Sequence, residues 1–68
     1  MNQEERAITE IEAAGRLGLS VAALRQWRHL GRGPNFMRFG RAVRYLPSDL
    51  SEFIRKSTIT PAVSSERE

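Results

Sequence analysis

Apolar residues recur at helical spacing in two stretches, and further on they gather into short strand-like runs. Ile8, Ile11, Ala14 and Leu17 stand at three-residue steps, which predicts one buried helical face. The helix starts within Ile8–Glu12, where Thr9 caps the free amides and Glu12, three positions on, completes a capping box. Gly18 ends that helix, and Leu19 tucks beneath the turn. Ser20 caps a second helix from Val21 to about Leu30, with Gly31 as its stop. On this second helix Ala23, Leu24, Trp27 and Leu30 share a face. The opposite face carries Val21, Ala22, Arg25 and His29, flanked by Gln26 and Arg28.

Arg32-Gly33-Pro34-Asn35 is a loop by composition. The runs Phe36–Phe39 and Ala42–Leu46, separated by Gly40-Arg41, predict a hairpin, with Phe36, Phe39 and Tyr45 turned to the core. A rival use for these aromatics is stacking on single-stranded bases. Pro47 suits a first helical position, and Ser48 with Asp49 supplies capping oxygen and charge. The third helix is expected to bury Leu50, Phe53 and Ile54 and to set Arg55 and Lys56 at its negative end. The fold class is mainly α with a small β-hairpin: helix, turn, helix, hairpin, helix. One domain spans residues 8–57, and residues 1–7 and 58–68 are expected to be mobile ends.

Charge sharpens this picture. From Ala13 to Ser48 the chain carries seven arginines and no acidic residue, so the net charge of +3 understates the local field. A basic block between acidic ends suits a polyanion. Guanidinium groups grip phosphate or a guanine edge in two places, whereas an ammonium acts as a point charge. Arg38 and Arg44 are expected to face each other across the strands, a like-charge pairing that an anion would relieve.

The remaining composition excludes several classes. Zero cysteines leave no disulfide framework and no cysteine-based zinc finger, and fit a cytoplasmic setting. His29 is the only histidine, so a metal site would lack a second ligand of its type, and a phosphate contact or an idle exposed ring is expected instead; neither metal nor cofactor is expected. There is no nucleophile–base pairing, no phosphate-cradling glycine loop and too little chain for an enclosed pocket, so no enzyme is expected. Asp49 and Glu52 serve the helix dipole rather than acid–base chemistry. The polar amino terminus is neither leader nor anchor, and no membrane partner is expected.

Ala14, Gly18, Leu24 and Trp27 complete a helix-turn-helix spacing, in which the small residue admits the second helix and the two large ones pin it. With EAAGRLGLS, LRQWRHLGRGP and MRFGRAVRYLPSDLSEFI, the chain resembles small winged-helix proteins related to MerR-type DNA-binding domains, including phage excisionases. The likeness runs from Ile8 to Arg55. It implies a winged helix-turn-helix whose second helix reads the major groove while the hairpin wing touches the adjacent minor groove or backbone. On that resemblance Ser20, Ala22, Arg25, Gln26, Arg28 and His29 fall on the reading helix, and Arg38, Arg41 and Arg44 on the wing.

MerR-type regulators continue into a long dimerising helix and an effector-binding segment, and the expectation here is a protein without them. The resemblance then implies an excisionase-like architectural factor, or recombination directionality factor. Such a factor would bind double-stranded attachment-site DNA in a bacterial host and bend it. It would associate head to tail and direct a tyrosine integrase toward excision. A small winged-helix transcription regulator uses the same contacts. A module docking on an integrase or terminase through acidic patches is the rival from another class.

Overall fold

In the computed structural model, which describes residues 5–61, strand β1 (Ile8–Thr9) leads into helix α1 (Glu10–Leu17) and then α2 (Val21–His29). The hairpin strands β2 (Met37–Phe39) and β3 (Ala42–Tyr45) follow, and helix α3 (Pro47–Ser57) closes the order. Expectations for residues 1–4 and 62–68 lie outside the described residues.

The main correction concerns the sheet. The hairpin is not alone: β1 pairs antiparallel with β3, with Ile8 opposite Tyr45 and Thr9 opposite Arg44, giving strand order β1-β3-β2. The domain is therefore a small α/β unit of three helices and a three-stranded antiparallel sheet. Ile8, expected inside the first helix, is a strand residue whose side chain is buried. The order also departs from the usual winged helix, because β1 comes first and the third helix comes last.

Local chemistry explains the helix limits. The Thr9 hydroxyl accepts from the Glu12 amide at 3.2 Å, as the capping pattern predicts. The Glu12 carboxylate does not complete the box; it accepts from Arg16 at 2.8 Å, one helical turn on. Gly18 has φ 73°, and two bonds close the helix there: Gly18 N–H to Gly15 at 3.1 Å and Leu19 N–H to Ala14 at 2.9 Å. That pair is a Schellman ending, and a side chain at a positive φ would strain it. Ser20 caps α2 through the Ala23 amide at 3.0 Å. The α2 end repeats the first, with Gly31 N–H to Arg28 at 3.2 Å and Arg32 N–H to Trp27 at 2.7 Å.

For α3 the cap differs from expectation. Pro47 does occupy the first turn, but no side chain within the element caps it. Glu5 does so from a distance: its carboxylate accepts from the Ser48 amide at 2.6 Å and the Ser48 hydroxyl at 3.0 Å. The anion sits at the positive end of the helix dipole, where it is favoured. Glu5 thus ties part of the expected arm to α3.

The core is Ile8, Ala13, Ala14, Leu24, Tyr45 and Leu50, with Leu17, Val21, Trp27 and Val43 packed against it. Ala13 and Ala14 have no side chain beyond Cβ, so α2 can approach α1 closely. The three-step face predicted for α1 fails at Ile11, which is 69% exposed; Ala13 takes the inward position instead. Leu30 and Ile54 are likewise exposed, because Leu30 lies beyond α2 at its cap and Ile54 lies on the rim of α3. Phe53 stays half-buried, its ring 5.6 Å from that of Trp27. Gly33 passes so near Trp27 that an added Cβ would stand 3.2 Å from the indole Cε3. Its φ of 88° sets the same requirement for glycine.

Candidate nucleic-acid interface

Inward anchoring of Leu24 and Trp27 turns the other side of α2 to solvent. Ala22, Arg25, Gln26 and His29 are all exposed there, at the i, i+3, i+4, i+7 spacing that makes one straight stripe. No acidic residue occupies the first turn of α2, so the positive end of its dipole is not neutralised from within the helix. Ser20 lies at that end, with its hydroxyl engaged in the cap. A convex, exposed helix with short and forked side chains matches what a major groove admits.

Arg25 is both exposed and held. Its side chain is 55% exposed, yet Nε and Nη2 donate to Glu10 Oε2 at 3.1 and 2.6 Å. The other carboxylate oxygen of Glu10 accepts from Arg28 Nη1 at 3.3 Å. These contacts, the Arg25 hydrogen bond foremost, hold the Glu10 carboxyl below the usual carboxylate range, and the same bond raises the Arg25 guanidinium. Arg28 does not share the exposed stripe. Its side chain is 13% exposed, donates to the Tyr45 hydroxyl at 3.3 Å and lies 5.6 Å from the Phe36 ring centre.

The wing arginines take three different settings. Arg38 lies over the same Phe36 ring at 5.8 Å, so that ring links the Arg28 guanidinium of α2 to the hairpin. Arg41 projects from the Gly40–Arg41 turn and, among the described residues, has no hydrogen-bond or ion-pair partner. Arg44 donates to the Val43 carbonyl at 2.9 Å. The expected facing of Arg38 and Arg44 is not observed. Arg38 stands opposite Val43 and Arg44 opposite Met37, so alternation sends the two arginines to opposite faces of the sheet.

The aromatic expectation also divides. Tyr45 is buried; Phe36 is at the rim, in contact with Tyr45 at 6.1 Å; Phe39 is exposed on the other face, opposite Ala42. Trp27 packs inward and forms part of a groove of about 260 Å³ with Leu17, Leu19, Phe53 and Ile54, away from the stripe. No helix among the described residues is long and apolar enough to cross a membrane.

Glu10, which holds both Arg25 and Arg28, is the residue of the candidate interface that sequence reasoning missed. Its carboxylate, in a first helical turn, complements the helix dipole, and that alone gives no sign of a further contact. Its partners lie 15 and 18 residues away, and only the packing of α1 on α2 brings them together.

Comparison with known proteins agrees with this geometry. A family model described as a helix-turn-helix domain matches residues 9–58, from the cap of α1 to the residue after α3. No curated protein and no solved structure shows significant similarity to the chain. The match spans most of the 68 residues and includes the turn, both helices that flank it and the hairpin. The chain therefore belongs to the helix-turn-helix domain family, and its function is that of a DNA-binding domain.

Proposed function

We propose that this protein is an excisionase-like architectural factor, which binds attachment-site DNA at adjacent sites, bends it and turns integrase-mediated recombination toward excision. The observation that carries the DNA-binding part is the exposed α2 stripe of Ala22, Arg25, Gln26 and His29, bordered by Ser20. In this reading Arg25 and Gln26 meet base edges, and Ser20 and His29 meet phosphates at the two ends of the helix. Arg38 and Arg41 grip the backbone or minor groove beside it, Arg44 contributes from the outer sheet face, and Arg28 acts from behind the stripe.

The excisionase role rests on the resemblance of the helix-turn-helix, wing and third helix to that group of proteins. Copies bound side by side would bring an acidic end of one chain near the basic middle of the next. Such a heterologous contact does not close on itself and builds a row along DNA. A tyrosine integrase is the protein partner this role requires.

Footprinting on DNA flanking its own gene, followed by bend-angle measurement on permuted fragments, tests the proposal. Several adjacent protected sites, cooperative filling and a bend that grows with occupancy are expected. A single, independently filled site with little bend would contradict the architectural role and favour a small transcription regulator using the same contacts.

A further inference from the structure

Arginine has five N–H donors arranged on two usable edges of a plane. The side edge pairs Nε with one terminal nitrogen, and the end edge pairs the two terminal nitrogens. In Arg25 the side edge is taken: Nε and Nη2 both donate to Glu10 Oε2. The end edge, one N–H each from Nη1 and Nη2, has no partner among the described residues and belongs to a side chain more than half exposed. Two parallel donors on an end edge are what guanine O6 and N7 accept in the major groove.

Glu10 is itself immobilised. Its side chain is 20% exposed, and Arg28 holds its second oxygen. Arg28 in turn is fixed by the hydroxyl of Tyr45, a core residue of β3, and by the face of Phe36. An unbroken line of contacts therefore runs from the core, through Arg28 and Glu10, to the guanidinium of Arg25. A group held in this way loses less freedom when it binds. The carboxylate also places negative charge beside the groove, which penalises a duplex that offers Arg25 no acceptor.

We infer that Glu10 is a positioning residue that locks Arg25 with its end edge outward and thereby sets a preference for guanine. This rests on the reading of α2 as the DNA-reading helix.

The test uses the full chain and a library of duplexes with a randomised central segment. Selections are run with wild type, Glu10→Gln, Arg25→Ala and the double variant, and 15N relaxation is recorded at the arginine Nε groups of the DNA-free protein. Wild type should select a motif containing a G·C pair that Arg25→Ala no longer prefers. Glu10→Gln should weaken the preference at that same pair about threefold, a smaller loss than the roughly tenfold expected of Arg25→Ala. It should bind a scrambled duplex at least as tightly as wild type, and the double variant should select no less well than Arg25→Ala. In free wild type the Arg25 Nε should be well ordered beside that of Arg41.

Full retention of the G·C preference by Glu10→Gln, with Arg25→Ala losing it, would overturn the positioning role while leaving the DNA reading intact. So would an Arg25 Nε as mobile as that of Arg41, whatever the variants do. Should wild type select no motif, or Arg25→Ala select the wild-type one, the reading of α2 itself fails and takes the inference with it.

Discussion

The α2 stripe and the hairpin tip both present arginine to solvent, but they prepare it differently. Arg25 is gripped along one edge by Glu10, which is braced by Arg28 and the buried Tyr45. Arg41, at the Gly40–Arg41 turn, has no such brace among the described residues. A braced guanidinium arrives with its geometry chosen and can distinguish one base pair from another. An unbraced one adapts to whichever phosphate is near and so adds affinity without discrimination. The contrast teaches that the arginines of one basic block are not all held alike.

The largest effect is expected where both regions depend on a common support. Leu24→Ala removes a buried side chain from the join of α1 and α2. It should cost about 2–5 kcal/mol, enough to unfold much of so small a domain, as read by denaturant unfolding. Both arginine regions should then fail together. A stable Leu24→Ala protein with normal DNA binding would show that the stripe does not need the helix pair.

Next in size is Arg25→Ala, expected to reduce discrimination between the selected duplex and a scrambled one on the order of tenfold, with little change on the scrambled duplex. Arg41→Ala should do the reverse: weaker binding to both duplexes, an unchanged ratio and a salt slope lower by about one, measured across a salt series. Equal losses of specificity from the two variants would erase the comparison.

The smallest effect concerns pH. Hydrogen bonding from Arg25 depresses the Glu10 carboxyl, so the stability it contributes is fully present at neutral pH. It is lost only as pH falls from the ordinary carboxylate range through the lower folded value. In an NMR titration of the Glu10 side chain, Arg25→Ala should raise the midpoint. An unmoved midpoint would mean that the bridge does not form in solution.

Where sequence reasoning succeeded, the cause lay within a few residues. Thr9, Gly18, Ser20, Gly31 and Pro47 act on amides and carbonyls next to them, so their roles follow from local rules. The spacing of Ala14, Leu24 and Trp27 was legible for the same reason. What escaped depends on distant partners. β1 is two residues long and exists only because β3 pairs with it. Glu5 caps α3 across 43 positions, and Glu10 finds Arg25 across 15. Arg28 reads as a surface residue in sequence, but Tyr45 and Phe36 draw it inward. Ile11 fits a three-residue rhythm, yet the packed face of an eight-residue helix is Ala13 and Ala14 with Leu17.

Amide shift mapping of the labelled protein, titrated with a duplex that it selects, tests the central account most directly. Perturbations should gather along Ser20–His29 and at Gly40–Arg41, with the side of α3 facing away left quiet. If instead they gathered around Leu19, Phe53 and Ile54, the face proposed to lie on DNA would be the wrong one.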